Sequence, residues 1–122
     1  MSRTNYLTMQ QNALLCDWAA RVRQMFRGEM CYQVGSSLTR KDFRDVDVRL
    51  IMDDADYDAL AHLVNIDRLN LSVSIWGNHV TQLPIDFQVQ RMTDANAEFA
   101  GMRNALFYLD DPTYDNREGP AA

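Results

Sequence analysis

Residues 34–51, VGSSLTRKDFRDVDVRLI, are the part of the sequence that best predicts the fold. In this stretch a Gly-Ser-Ser turn separates two apolar runs. The run at residues 30–35 is short, rich in strand-forming residues and ends at glycine, which predicts a strand entering a tight turn. The run at residues 45–52 alternates apolar and polar residues, which predicts a half-buried strand. Asp45 and Asp47 begin this second strand. Because alternate strand residues point to one face, both carboxylates are expected on the same side of the sheet.

The segments before and after this stretch predict helices. Apolar residues at steps of three and four predict an amphipathic helix over residues 5–27, with Gly28 as its stop. A shorter helix is predicted after Asp53 and Asp54, either of which is a suitable cap. The apolar positions of the first helix are Leu14, Trp18, Val22 and Met25.

The second half of the chain is less uniform. Residues 66–82 fit an amphipathic helix, but they also fit two strands that turn at Gly77 and Asn78; we favour the helix. Residues 83–90 alternate strictly and predict a half-buried strand with Asp86 on its polar face. Beyond that strand the periodicity is lost. The sequence thus predicts an α+β fold with a small mixed sheet backed by helices.

Length and composition indicate a single domain. The chain has 122 residues, of which 47% are hydrophobic, enough for one core. We expect the domain to span residues 1–110 and the polar, Pro- and Gly-containing residues 111–122 to form a flexible tail. Apolar runs approaching about 18 residues are missing, and the N-terminus is too polar for a secretory signal, so we expect a cytoplasmic protein without a membrane span. Cys16 and Cys31 lack metal-site spacing and are expected as buried thiols.

Charge is divided unevenly along the chain. Residues 1–44 hold seven basic and three acidic residues, whereas residues 45–122 hold five basic and fourteen acidic residues. Two interpretations remain open: the two halves are only solvated surfaces, or both face one polyanionic ligand, with divalent metal bound on the acidic side. A long basic stripe typical of duplex nucleic-acid binding is not present.

The paired aspartates favour a metal site. On a strand, the α-carbons of Asp45 and Asp47 lie about 6.5 to 7 Å apart. Like charges this close repel, and divalent cations prefer oxygen ligands. Asp86, flanked by Ile85 and Phe87 on a neighbouring strand, is the candidate third ligand.

The turn offers donors for an anion. Gly35 lacks a side chain, so a phosphate can approach its backbone, and Ser36 and Ser37 carry hydroxyl and amide donors. Arg40 and Lys41 follow in the same loop. This stretch therefore combines hydrogen-bond donors for phosphates with carboxylate ligands for a metal. The combination suits phosphoryl transfer, in which positioning and charge stabilisation do most of the catalysis.

At these residues the sequence resembles the DNA polymerase beta-like nucleotidyltransferase superfamily, in particular its minimal stand-alone members of the antitoxin or phage type. The matching motifs are Val34-Gly35-Ser36, Asp45-Val46-Asp47-Val48 and Ile85-Asp86-Phe87, in the family's order. The spacer of eight residues between Ser36 and Asp45 is toward the short end of the family's range.

The resemblance implies a nucleotidyltransferase-like fold, two Mg²⁺ ions and a bound nucleoside triphosphate (NTP). It implies that Asp45 and Asp47 bind both metals, and that Asp86 binds the catalytic metal and helps to deprotonate the acceptor. Gly35 and Ser36 would hold the β- and γ-phosphates. A nucleoside monophosphate would pass to a hydroxyl of a protein or RNA acceptor, with release of pyrophosphate.

Two functional hypotheses follow. The first is an active nucleotidyltransferase whose acceptor is recognised with the help of a partner protein, a homo-oligomer or the substrate itself. The second is a non-catalytic module that retains the fold to bind a nucleotide or a partner. Retention of all three acids favours the enzyme. The base preference of the nucleotide is not readable from the sequence.

Overall fold

The computed structural model describes residues 5–27 and 29–107 and has a mixed α+β architecture, as predicted. Gly28, expected to stop the first helix, and the tail expected at 111–122 lie outside the described residues. The elements in chain order are α1 (Met9–Met25), β1 (Cys31–Val34), α2 (Ser36–Thr39), β2 (Val46–Met52), α3 (Asp54–Leu63), α4 (Ile66–Thr81), β3 (Ile85–Arg91), α5 (Met92–Glu98) and β4 (Asn104–Leu106).

The four strands form one mixed sheet in the order β3-β2-β1-β4. Strand β1 is antiparallel to both β2 and β4, whereas β2 and β3 are parallel. Parallel neighbours need a crossover connection, which α3 and α4 supply between β2 and β3. The predicted Gly-Ser-Ser turn is a bend at Gly35 followed directly by α2. The sheet is mixed because residues 35–45, which include α2, return the chain to an antiparallel neighbour, whereas α3 and α4 carry it across to a parallel one.

The core lies between one sheet face and helices α1 and α4. Trp18 of α1 is fully buried and packs edge-on against Trp76 and Phe87, each with 6.1 Å between ring centroids. Thr8 and Gln11 form a reciprocal capping box that begins α1. The buried stripe of α1 differs in part from the predicted one, because Trp18 and Val22 are buried but Leu14 and Met25 are exposed. The helix instead buries Leu15 and Ala19 beside them.

Residues 66–82 form a helix, as favoured from the sequence, and not a hairpin. Gly77 is inside this helix and lies against Trp18, since a Cβ at Gly77 would come within 2.8 Å of the indole ring. The glycine therefore allows close packing of α4 on α1 and does not mark a turn. Asn65 caps the helix by accepting a hydrogen bond from the Arg68 amide at 3.0 Å.

Helix α4 also covers the edge of the sheet at β3. Polar side chains on three successive turns of the helix reach three alternate backbone amides of the strand. Four helical residues rise about 6.0 Å and two strand residues about 6.6 Å, so the two repeats nearly match. The pairs are Asn78 with Ile85 at 2.8 Å, Ser74 with Phe87 at 2.8 Å and Asn70 with Val89 at 2.9 Å, the strand amide donating in each.

The sequence beyond β3 gave no periodic signal, yet the structure contains α5 and β4 there. Both elements are short, seven and three residues. Elements of this length are stabilised by tertiary contacts and not by their own pattern. Strand β4 exists because it pairs with β1, from Cys31 opposite Leu106 to Gln33 opposite Asn104.

The helices and the two cysteines can be compared with the expected absence of a membrane span and with the expected buried thiols. None of the helices within residues 5–27 and 29–107 has both the length and the apolar character that crossing a bilayer requires. Cys16 and Cys31 are free, and Cys31 is buried. Burial raises the pKa of Cys31 to about 12 and also raises that of Cys16, which keeps both thiols protonated.

Candidate functional site

Asp47 and Asp86 lie side by side on neighbouring strands. They are directly opposite each other in the parallel register of β2 and β3. Adjacent strands are about 4.8 Å apart, so the two carboxyl groups leave the same sheet face as neighbours. Two of the three predicted acids thus come together through strand pairing.

The Asp47 carboxyl group is electrostatically unfavourable as an anion. Its pKa is raised to about 6, chiefly because burial disfavours the charged form. The charge of Arg49 lowers this pKa, whereas the charges of Asp86 and Asp45 and the hydrogen bond with Asp86 raise it. A bound cation would relieve this repulsion.

The glycine turn and the acid pair are in contact. Gly35 has φ 78° and ψ −155°, a conformation open in practice only to glycine. A Cβ at this position would overlap Oδ2 of Asp47. Gly35, predicted to admit a phosphate, therefore also allows the backbone of the turn to lie against Asp47, the candidate metal ligand.

A cavity of about 350 Å³ opens beside the turn; we call it the turn cavity. It contains Asp45 and Asp47 together with Ser36 and Arg40, all four predicted from the sequence. Its lining includes both basic and acidic groups, which suits a ligand that carries both phosphates and cations. The complete lining is Ser36, Arg40, Asp42, Phe43, Arg44, Asp45 and Asp47.

Two other predicted anion contacts, Ser37 and Lys41, do not line the turn cavity, and the third, Arg40, is held by an ion pair. Ser37 is buried, and its hydroxyl accepts a hydrogen bond from the Gln33 amide at 2.9 Å. It therefore supports the turn from inside and does not face the turn cavity. Lys41 is exposed but does not line the cavity. The Arg40 guanidinium reaches the cavity while bound by both carboxylate oxygens of Asp42, each at 3.1 Å.

Arg49 is a site residue for which the sequence indicated no role. It is buried on the acid face of the sheet and donates hydrogen bonds to the backbone carbonyls of Val48 and Asp86, at 3.1 and 2.8 Å. Its guanidinium lies 3.7 Å from the Asp86 carboxylate and 5.6 Å from the centroid of the Phe99 ring. The alternation that places Asp47 on the polar face also places Arg49 there, so this pattern in the sequence could have indicated Arg49 as a neighbour of the acids.

Asp86 borders a second cavity, of about 460 Å³, between α4 and the edge strand; we call it the α4 cavity. Asp47 lines the turn cavity and Asp86 lines the α4 cavity, and the two residues are opposite each other in the register of β2 and β3. Each cavity therefore has one member of the acid pair in its lining. The lining is Asp67, Asn70, Leu71, Ser74, Ile75, Asn78, Ile85, Asp86, Phe87 and Gln88.

The acids offer a partial fit to magnesium. Carboxylate oxygens are the ligands that Mg²⁺ prefers, and the repulsion on Asp47 favours a cation there. In the arrangement observed, however, no group of three or more His, Cys, Asp or Glu side chains among residues 5–27 and 29–107 is placed to hold a metal ion. Asp47 and Asp86 are adjacent through the strand register. Asp45, predicted to begin the second strand, instead lies one residue before β2 and acts on Asp47 through its charge.

The chain was compared with family models, with curated proteins and with solved structures. None of the three comparisons found a match.

Proposed function

We propose that the protein is a metal-dependent nucleotidyltransferase, which transfers a nucleoside monophosphate from an NTP to an acceptor hydroxyl. One observation carries the proposal: Asp47 contacts the Gly35 turn, and the neighbouring acids Asp47 and Asp86 each line a cavity. The hydrogen-bond donors proposed to bind phosphate thus lie beside the carboxylates proposed to bind metal. The NTP and the acceptor would each occupy a separate cavity.

In the proposed reaction the triphosphate occupies the turn cavity. The backbone at Gly35 and the hydroxyl of Ser36 contact phosphoryl oxygens, and Arg40 and Arg44 balance their charge. Asp45, Asp47 and Asp86 would hold magnesium, which supplies neutralisation of the triphosphate charge when bound. Arg49 holds the Asp86 backbone and carboxylate in place.

The transfer is a displacement at the α-phosphorus. The acceptor oxygen forms a bond to this phosphorus, and the bond from phosphorus to the oxygen that bridges to the β-phosphate breaks. Pyrophosphate leaves with the electron pair of the broken bond, and the hydroxyl proton passes to the Asp86 carboxylate and then to water. The adjacency of Asp86 to the α4 cavity is what makes it the proton acceptor.

The test is transfer of label from NTPs labelled at the α-phosphate, incubated with magnesium, the purified protein and extract of the cells that contain it. We expect label in macromolecules from α-labelled but not γ-labelled NTP. Asp47→Asn and Asp86→Asn should each abolish the signal at nearly constant side-chain volume. Asp58→Asn, at an exposed acid that pairs with Arg91 outside the site, is the matched control and should keep it. Undiminished transfer by Asp47→Asn would refute the site assignment.

A non-catalytic nucleotide-binding module is the second candidate. The observation that favours it is that the described carboxylates do not form a three-ligand metal cluster in the arrangement observed. This module would show magnesium-dependent thermal stabilisation by NTP without any transfer of label. The two assays together distinguish the candidates.

A further inference from the structure

The α4 cavity has an apolar wall exposed to solvent. Leu71 and Ile75 lie one turn apart on α4, with 51% and 58% of their surface exposed, and both line the cavity with Phe87. The side chains of Leu69, Val73, Trp76 and Val80 on the same helix are buried or partly buried in the core, so the exposed pair is unusual on α4. It offers contact area to a ligand with apolar side chains.

The charge of the α4 cavity is negative. Asp67 and Asp86 line it, and among residues 5–27 and 29–107 no Lys, Arg or His is in its lining. Arg49, which pairs with Asp86, is itself buried and makes its hydrogen bonds within the protein. An RNA strand brings a phosphate with every nucleotide and meets like charge here, whereas a segment with Lys or Arg meets opposite charge.

The edge of β3 beside this cavity is not free for strand addition. The amides of Ile85, Phe87 and Val89 already donate to side chains of α4. An occupant must therefore be recognised by its side chains and not by backbone pairing with the sheet. Apolar and basic side chains are the ones this surface complements.

We infer that the α4 cavity is the acceptor site and that the acceptor is a protein segment combining a hydroxyl side chain with neighbouring apolar and basic residues. The inference rests on the proposed function and narrows it from protein or RNA to protein. The segment's apolar residue would pack on Leu71 and Ile75, its basic residue would pair with Asp67, and its hydroxyl would reach Asp86.

The experiment uses the full chain and two variants, the double substitution Leu71→Ser/Ile75→Ser and the charge reversal Asp67→Lys. Leu63→Ser and Asp56→Lys, at exposed positions of α3 outside the cavity, are matched controls. Label transferred from α-labelled NTP in cell extract is digested with protease or with RNase. Magnesium-dependent thermal stabilisation by NTP is measured on every variant and reports the turn cavity separately.

We expect label that protease releases and RNase does not. Both cavity variants should transfer label at about one tenth of the wild-type rate or less. For Leu71→Ser/Ile75→Ser this is the size typical of lost apolar contacts at a specificity pocket. They should keep the melting temperature and the stabilisation by NTP, and the controls should behave as the wild type.

Label that RNase releases overturns the protein assignment while leaving the proposed function intact. Label in protein that both cavity variants transfer at the wild-type rate overturns the assignment of the α4 cavity as the acceptor site. If the wild type transfers no label, the proposed function itself fails and the acceptor assignment fails with it.

Discussion

The carboxylate of Asp47 lies so close to the backbone of Gly35 that any Cβ on Gly35 would overlap it. This contact joins the turn after β1 to the acid of β2 and makes them one structural unit. Displacing either partner must therefore disturb both the phosphate-binding candidate and the metal-binding candidate.

Gly35→Ala is expected to lower the free energy of unfolding by about 1–3 kcal/mol, because alanine is strained at this φ and ψ and also meets Asp47. Urea denaturation measures it. Gly101→Ala is the control, since a Cβ there meets nothing within 4 Å. In an Asp47→Ala background the cost of Gly35→Ala should shrink, because only the backbone strain remains. Equal costs at positions 35 and 101 would contradict the contact.

The stability of the protein is expected to depend on the titration of Asp47. Its pKa in the folded state is about 6, above the ordinary 3.8, so the folded state binds this proton more tightly than the unfolded state. Stability should therefore fall as the pH rises from about 4 to about 6 and then level off.

Asp47→Asn removes that penalty, so in metal-free buffer at pH 7.5 it should melt at a higher temperature than the wild type. The carboxyl group is partly solvated, and we expect a gain of about 1 kcal/mol after screening. Thermal melts between pH 4 and 8 measure it. Asp58→Asn should give no such gain, because Asp58 forms an ion pair with Arg91. A less stable Asp47→Asn protein at pH 7.5 would show that the carboxylate is stabilising.

Arg49→Met is expected to lower the free energy of unfolding by about 2–3 kcal/mol, since it removes two charged hydrogen bonds and leaves Asp86 without this ion pair. It should also raise the pKa of Asp47 further, because the charge of Arg49 lowers that pKa. Carbon-13 NMR titration of the carboxyl groups measures the second effect. Arg21→Met, which removes an exposed pair with Asp17, should cost less than about 1 kcal/mol. An unchanged Asp47 titration in Arg49→Met would refute the coupling.

Ser74→Ala is expected to lower the free energy of unfolding by about 1–3 kcal/mol, because the Phe87 amide loses its acceptor at the sheet edge. Hydrogen exchange of that amide should become faster. Ser72→Ala, at an exposed position of the same helix, is the matched control and should change neither quantity. If the Phe87 amide exchanges at the same rate in both variants, α4 does not protect the edge of β3.

The exposed pair Leu71 and Ile75 explains why residues 66–82 were ambiguous in sequence. With Leu69 and Val73 they form an alternating apolar pattern typical of a strand, although α4 is a helix with this pair outside. Their hydrophobicity therefore does not serve the core. A local pattern cannot separate an apolar residue that packs inward from one that faces a cavity, because both have the same side chain.

The sequence alone predicts both strands of residues 30–52 and the bend at Gly35, because alternation and a glycine-only bend act between near neighbours in the chain, but it does not predict α2 between them. It also determined that Asp86 lies on a strand. Only the tertiary structure decided that Asp47 and Asp86 are opposite each other, since a register shift of one residue would turn Asp86 to the other face. That register depends on packing between segments far apart in the chain, as do the burial of Arg49 and the existence of β4.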